Sequence, residues 1–222
     1  MELREGASVL DVGAAQGVTT TAWAKAGFDA HGVEPWTAAI DVSRQLAERT
    51  GVPIEVRHGA GEAIPYEDES FDYVHAYSVM EHVDDPNAVF REAYRVLRPG
   101  GGFYFSTTSR LCPRHNEIAR FPLFPWYPPP AQRAIMNWAV HKRPWLVGYT
   151  TRPAMHWFRH RVVRRELEEI GFRRVADKWE FRAASGEWTG TQQRLLRAAA
   201  ENSAVRLVGN VVVGGVEFLA VK

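Results

Sequence analysis

Residues 9–17 read Val-Leu-Asp-Val-Gly-Ala-Ala-Gln-Gly: an apolar strand carrying Asp11, then a small-residue turn that opens a helix. About seventeen residues beyond Gly17 a second apolar stretch, 30–33, runs into Glu34. Small residues let the backbone approach a ligand, and an acidic residue ending the second strand accepts hydrogen bonds from ribose hydroxyls. The pair points to a nucleoside-bearing cofactor. A dinucleotide turn wants three glycines and helix N–H groups facing a pyrophosphate. Here only Gly13 and Gly17 remain, and a buried carboxylate at Asp11 would repel a pyrophosphate while suiting an ammonium or sulfonium.

The order Asp11-x-Gly13-x-x-x-Gly17 resembles the first motif of the class I S-adenosylmethionine (SAM) methyltransferases, of the small-molecule type. Residues 59–66 (Gly-Ala-Gly-Glu-Ala-Ile-Pro-Tyr) resemble the family's third motif, 71–74 begin its fourth strand, and 78–83 and 97–101 resemble later landmarks. The ordered matches cover roughly residues 7–107, about half the chain. The resemblance implies a Rossmann-like, doubly wound α/β fold: a mostly parallel seven-stranded sheet whose last strand is antiparallel. It implies one methyltransferase domain over residues 1–222, with a cap inserted after strand five at 108–160. SAM would be the cofactor and S-adenosylhomocysteine (SAH) its product. Carried over by residue, Asp11, Gly13, Ala14 and Gly17 would surround the methionine part. Glu34 would bind the ribose, Pro35 and Trp36 would lie beside the adenine, and Ala60, Gly61 and Glu62 would line its edge. Tyr77 and Ser78 would close the pocket. Three departures bear on this: Ala15 stands where glycine is usual, Ala60 where an aspartate often meets the adenine amino group, and strand one comes only a few residues from the start, which predicts a more open site or one covered by a neighbouring chain.

Methyl transfer is an in-line displacement in which the protein aligns the partners and, for a hydroxyl acceptor, removes a proton. By the same resemblance His82, just after strand four, is the first candidate base, although Glu-His-Val at this position also fits a loop anchor. An imidazole titrates near neutrality, which suits the task. His115 and Glu117, at the start of the cap, are the second choice; His141, His156 and His160 read as surface or helix-face residues. Some quinone-type O-methyltransferases are thought to hold a divalent metal with Glu-x-x-Glu-His here. This chain has Ser78-Val79-Met80-Glu81-His82, one carboxylate short, so no metal is expected.

The elements that must position these groups alternate. Strands are predicted at 8–12, 31–34, 54–57, 73–76, 102–106, 173–181 and 216–221. Helices are predicted from Gly17 to about Lys25, from a Thr37 cap to Glu48, from Asp85 or Pro86 to Leu97, and over 132–140, 162–170 and 191–201. Such β-α-β alternation builds a parallel sheet covered on both faces. The chain has 222 residues and is 45% hydrophobic, enough for a sizeable core. No stretch has the length of a membrane span, and the first residues lack an apolar signal core. The single cysteine, Cys112, cannot form an internal disulfide, which fits a cytoplasmic location.

The net charge of +1 conceals an asymmetry. Between Arg110 and Arg165 there are eleven Arg or Lys and one acid, Glu117, so this segment carries +10 and the remainder −9. Prolines, arginines and aromatics crowd the cap, including residues 121–127 and Trp138, Trp145, Tyr149, Trp157 and Phe158. Arginine forks suit phosphate or carboxylate, and aromatics make apolar walls. The cap therefore reads as cover for an anionic or amphiphilic small molecule, as a peripheral membrane-surface contact through 110–165, or as a solvated basic face over a minor hydrophobic core. Nucleic acid is disfavoured, because no RNA-binding module accompanies the segment and 77–80 lack the Asn/Asp-Pro-Pro-aromatic motif of base-amino methyltransferases. Nothing points to a particular oligomer. The reading is a SAM-dependent methyltransferase acting on a small molecule, most readily at oxygen. An RNA methyltransferase, a non-catalytic SAM- or nucleotide-binding subunit and an NAD-dependent dehydrogenase are the alternatives.

Overall fold

A computed structural model describes residues 3–113, 117–148, 150 and 152–222. Seven strands form one sheet: β1 (Ser8–Val12), β2 (Asp29–Glu34), β3 (Glu55–His58), β4 (Phe71–Tyr77), β5 (Leu97–Thr107), β6 (Arg174–Asp177) and β7 (Val216–Val221). Their order is β3-β2-β1-β4-β5-β7-β6. Strands β1 to β5 pair in parallel, and β7 runs antiparallel between β5 and β6. This is the Rossmann-like sheet with an antiparallel last strand that the resemblance implied. The order reverses beside β1, where β2 lies on one side and β4 on the other. A cleft opens there at the carboxyl ends of parallel strands.

The strands are apolar on both faces because helices cover both. Leu10, Val74, Phe103, Phe105 and Phe218 are fully buried. Helix α3 (Pro86–Val96) lays Val89, Phe90, Ala93 and Val96 onto the sheet, with Phe90 5.1 Å from Phe105 between ring centroids. Asp85 caps it by accepting from the Asn87 amide. Helix α1 (Val18–Lys25) follows the first turn, and α2 (Thr37–Thr50) ends at Gly51 in the left-handed region. Thr37 is the first helical residue rather than the cap; Trp36 takes the cap position and makes no side-chain capping bond.

After β5 the cap builds a second, smaller core. Helix α4 (Pro129–Lys142) and two short 3-10 turns enclose Ile118, Phe124, Met136, Ala139, Leu146, Val147 and Ala154. Cys112 is buried, its amide facing Ser109 Oγ. Helix α5 (His160–Ile170) returns to the sheet. His160 is not on the surface: it is 7% exposed and neither ring nitrogen has a hydrogen-bond partner. Burial and the neighbouring cations Lys178, Arg164 and Arg206 push its pKa down to about 3.

The predicted strand at 173–181 stops early. Asp177 ends β6 and caps α6 (Lys178–Ala184), exchanging hydrogen bonds with Glu180 in a reciprocal capping box. Helix α7 (Gly190–Glu201) is followed by α8 (Ser203–Val212), which the periodicity did not reveal.

Candidate functional site

The loop after β1 is a tight turn. Gly13 and Gly17 adopt positive φ, and Ala15 does so too, at 45°. The position that departs from glycine therefore keeps a left-handed backbone and carries the strain of a Cβ there. The turn is also closely packed: a Cβ on Gly13 would sit 2.6 Å from Val79 Cγ2, and one on Gly17 would sit 2.8 Å from Ser43 Cβ.

Glu34 ends β2 and is 8% exposed. Its Oε2 accepts from the Ala15 amide at 2.9 Å, and its Oε1 from the Trp36 amide at 3.0 Å. One carboxylate thus clamps the first turn to the start of α2, and each oxygen keeps a lone pair for a ligand hydroxyl. Asp11 is buried, accepts from Thr20 Oγ1 at 2.9 Å and lies 3.5 Å from His75 Nδ1.

Two cavities meet along Gly13, Ala15, Glu34 and Trp36. One, of about 450 Å³, is walled by Asp11, Ala14, His75 and Tyr77. The other, of about 500 Å³, is walled by Pro35, Ala60, Gly61, Glu62, Ser78 and His82. The fold thus gathers eleven of the twelve residues assigned to the cofactor around one cleft. Gly17 lines neither cavity and instead lets the turn pack against α2. Glu62 is engaged in holding the loop, its Oε1 accepting from the Asp84 amide at 2.9 Å. His75, Val79 and Val83 also line the cleft; Val79 and Val83 fall within the landmark at 78–83, but none of the three was assigned a role.

The cap reaches the second cavity through Thr150 and Arg152. Its aromatics go elsewhere. Phe121, Phe124, Tyr127 and Trp157 fill the cap's own core, whereas Trp126, Trp138 and Trp145 are exposed. Among the described residues no cap aromatic lines either cavity; Tyr149 lies outside the described residues.

Just after β4, residues 78–83 form the floor of the second cavity, and the cap is tied to them. The Met155 amide donates to the Glu81 carbonyl at 2.7 Å, and His156 Nε2 lies 2.9 Å from the Val83 carbonyl. His156 is thus an anchor rather than a surface residue. Glu81 is fully buried. Its Oε2 accepts from Thr107 Oγ1 at 2.7 Å, but its Oε1 has no partner. Burial, reinforced by the nearby Glu117 carboxylate, pushes the Glu81 pKa above the usual carboxylate range against the opposing pull of Thr107 and His82. His82 faces the cavity, and its Nδ1 is buried without a partner. One donor atom each from Glu81, His82 and Glu117 lies within 4.8 Å of the others. His115 lies outside the described residues.

The sheet order and this cleft define a Rossmann-like protein that binds a nucleoside-bearing ligand at its switch point. A family model described as a methyltransferase domain matches residues 10–105. The ubiquinone biosynthesis O-methyltransferase of Pseudomonas entomophila (strain L48) is 38% identical over 106 residues, covering 47% of this chain and 46% of that protein. The enzyme of the same name from Pseudomonas putida (strain KT2440) matches at 38% over 106 residues with the same coverage. The chain spans about half the length of the curated relatives it matches. Among solved structures, the Haemonchus contortus phosphoethanolamine N-methyltransferase 2 in complex with SAM aligns with a TM-score of 0.64 and 15% identity, over 100% of this chain and 50% of that one. The Bacillus YcgJ protein aligns with a TM-score of 0.60 and 17% identity, over 100% and 94%. At such identities these structures speak for the fold. Residues 10–105, somewhat under half of the chain, are similar to the SAM-dependent methyltransferases, whose methyl donor is SAM.

Proposed function

We propose that this chain transfers the methyl group of SAM to an oxygen of a small-molecule acceptor. The observation that carries the reading is a single cleft with Glu34 on one wall and His82 on the floor beyond it. The residues present suit the cofactor. Glu34 offers lone pairs to vicinal ribose hydroxyls, Gly13 lines both cavities with bare backbone, and buried Asp11 places negative charge near the turn. When bound, SAM supplies a methyl carbon already activated by the sulfonium.

What the chain adds is placement and proton removal. The floor at Ser78 and the overhang of Arg152 hold the acceptor against the cleft. His82 accepts the hydroxyl proton, with Glu117 alongside to stabilise the imidazolium. Arg152 and the basic cap favour an acceptor bearing negative charge. The exposed Trp126, Trp138 and Trp145, the last with Arg120 over its ring, give the cap aromatic surface suited to an amphiphilic acceptor or the lipid surface that holds it. No helix among the described residues is long and apolar enough to cross a membrane.

Calorimetry with SAM, SAH and NAD, followed by a screen of hydroxylated aromatic acids for SAH release, tests the proposal. SAM and SAH binding with turnover on such acceptors is expected. Failure to bind either defeats the reading, whereas binding without turnover on any oxygen acceptor moves it to a nitrogen or carbon acceptor or to a non-catalytic subunit.

A further inference from the structure

The geometry points to a second binding site, for an organic anion on an apolar body, in the cavity between the N-terminus of α5 and helix α8. None of the residues lining this cavity borders the cofactor cleft. The inference therefore goes beyond the methyl-transfer reading and does not depend on it.

The cavity measures about 920 Å³, a size that suits a small organic ligand. The first turn of α5 forms one wall, and its charge runs against the helix dipole. Arg159, Arg161, Arg164 and Arg165 crowd the N-terminal end, no acid stands in the first turn, and Glu166, Glu168 and Glu169 follow toward the C-terminus. Arg159 holds the cap position with a side chain that cannot accept, so the His160 and Arg161 amides have no partner among the described residues. Such amides attract an anion. Arg159 and Arg161 are exposed, and neither is ion-paired among the described residues. Arg164 and Arg206 also line the cavity, but their charges are met by Asp177 and Glu180. Asp177 is itself spent, with Oδ1 accepting from the Trp179 and Glu180 amides at 3.0 and 3.2 Å. Two buried side chains add donors. Both ring nitrogens of His160 lack a partner, so turning the ring toward an anion breaks no hydrogen bond. Asn210 is 4% exposed, and its Oδ1 is taken by Trp179 Nε1 at 2.7 Å, which leaves its two amide N–H groups to donate.

The fold holds both walls in place. Just before α5, the Arg110 amide donates to the Phe158 carbonyl at 2.9 Å, and Ser109 pairs with Phe158 in a short bridge. Just after α8, the buried Lys178 ammonium donates to the carbonyls of Val213, Gly214 and Gly215 at 2.8–2.9 Å. The lining selects the ligand. Guanidinium forks beside helix amides suit a carboxylate or a phosphate monoester. Leu111, Val162 and Leu207 supply apolar wall for a hydrocarbon or aromatic body, and Val162 and Leu207 are exposed at 40% and 55%, so burying them under a ligand gains apolar contact.

The test is calorimetry on the full chain at neutral pH in phosphate-free buffer, with decanoate and decyl phosphate as probes and decanol as their uncharged counterpart. Saturable binding of at least one of the two anions is expected, with decanol at least about tenfold weaker. Arg161→Gln and Leu207→Glu, both at exposed positions, should each weaken the anion at least about tenfold while leaving SAH affinity and the melting temperature unchanged; Arg161→Lys should recover part of the loss. Sedimentation with phosphatidylglycerol vesicles separates the two sources of such an anion. Vesicle binding that both substitutions abolish assigns the site to a lipid headgroup, and its absence assigns the site to a free molecule. No binding of either anion at millimolar concentration, equal affinity for decanol, or affinity indifferent to both substitutions overturns the site. Failure of the wild-type chain to bind SAH would strike the methyltransferase reading and leave this one standing.

Discussion

Replacing Glu34 by alanine removes one carboxylate with two duties. It ends the bonds from the Ala15 and Trp36 amides, at 2.9 and 3.0 Å, and it removes the acceptor for the ribose. Charge-assisted bonds contribute roughly 1.5–3 kcal/mol each, but both amides border an open cleft where water can replace the carboxylate. A stability loss of about 2 kcal/mol is therefore expected, read as a lower urea midpoint. Cofactor affinity should fall by about 1–3 kcal/mol, roughly 5- to 150-fold, because the ribose bonds vanish and the turn is no longer held ready. Calorimetry with SAH measures this directly. Glu34→Gln should fall between the two, since its amide group must face one of the N–H donors and can accept from only one. An SAH analogue lacking both ribose hydroxyls completes a double-mutant cycle: the loss on Glu34→Ala should shrink with it to the part owed to the released turn. An unchanged SAH dissociation constant in Glu34→Ala would refute the assignment of this residue to the ribose.

Ala15→Gly relieves a Cβ at φ 45° and should stabilise the chain by about 0.5–1 kcal/mol after allowing for the greater freedom of glycine in the unfolded state, as measured by urea unfolding. His160 sets an acid limit on stability. Its folded pKa of about 3 lies below the unfolded 6.5, so the unfolded chain binds the extra proton, and its contribution is complete above pH 6.5 and is lost as pH falls toward 3. Between pH 7 and pH 5 the loss from this one group is about 2 kcal/mol, and His160→Leu should flatten that limb by the same amount in paired urea titrations; parallel pH profiles in the two proteins would disprove it.

Much of the sheet was legible because β1 to β5 and their helices obey simple periods bounded by glycine and proline stops. The cleft followed from the same segment: Asp11, Gly13 and Glu34 fall at strand ends that any parallel α/β sheet brings together. Elsewhere local signals competed. Arg173 to Phe181 alternates well enough to pass for one strand, yet Asp177 and Glu180, three apart, form a capping box that turns the chain into α6. The residues of α8 include Gly209 and four valines, poor helix formers, and its Leu207, Val208 and Val212 are exposed, so local preference did not mark it as a helix. The cap aromatics stayed open between cleft walls, a surface patch and a minor core, because composition cannot tell a small core from a lining. The approach of Glu117 to Glu81 and His82 depends on how the cap folds back, which no spacing encodes.

The placement of β7 has a consequence for biogenesis. Strand β6 touches the sheet only through β7, and β5 offers its open edge to nothing else. On the ribosome, β1 to β5 can assemble early, but they do so with a bare hydrogen-bonding rim and with β6 unable to dock. Everything translated between residues 108 and 215, the cap included, must wait beside that rim until 216–221 emerge. Early arrest of translation in this stretch would leave a sticky, half-zipped sheet, the kind of intermediate that chaperones shield and proteases clear.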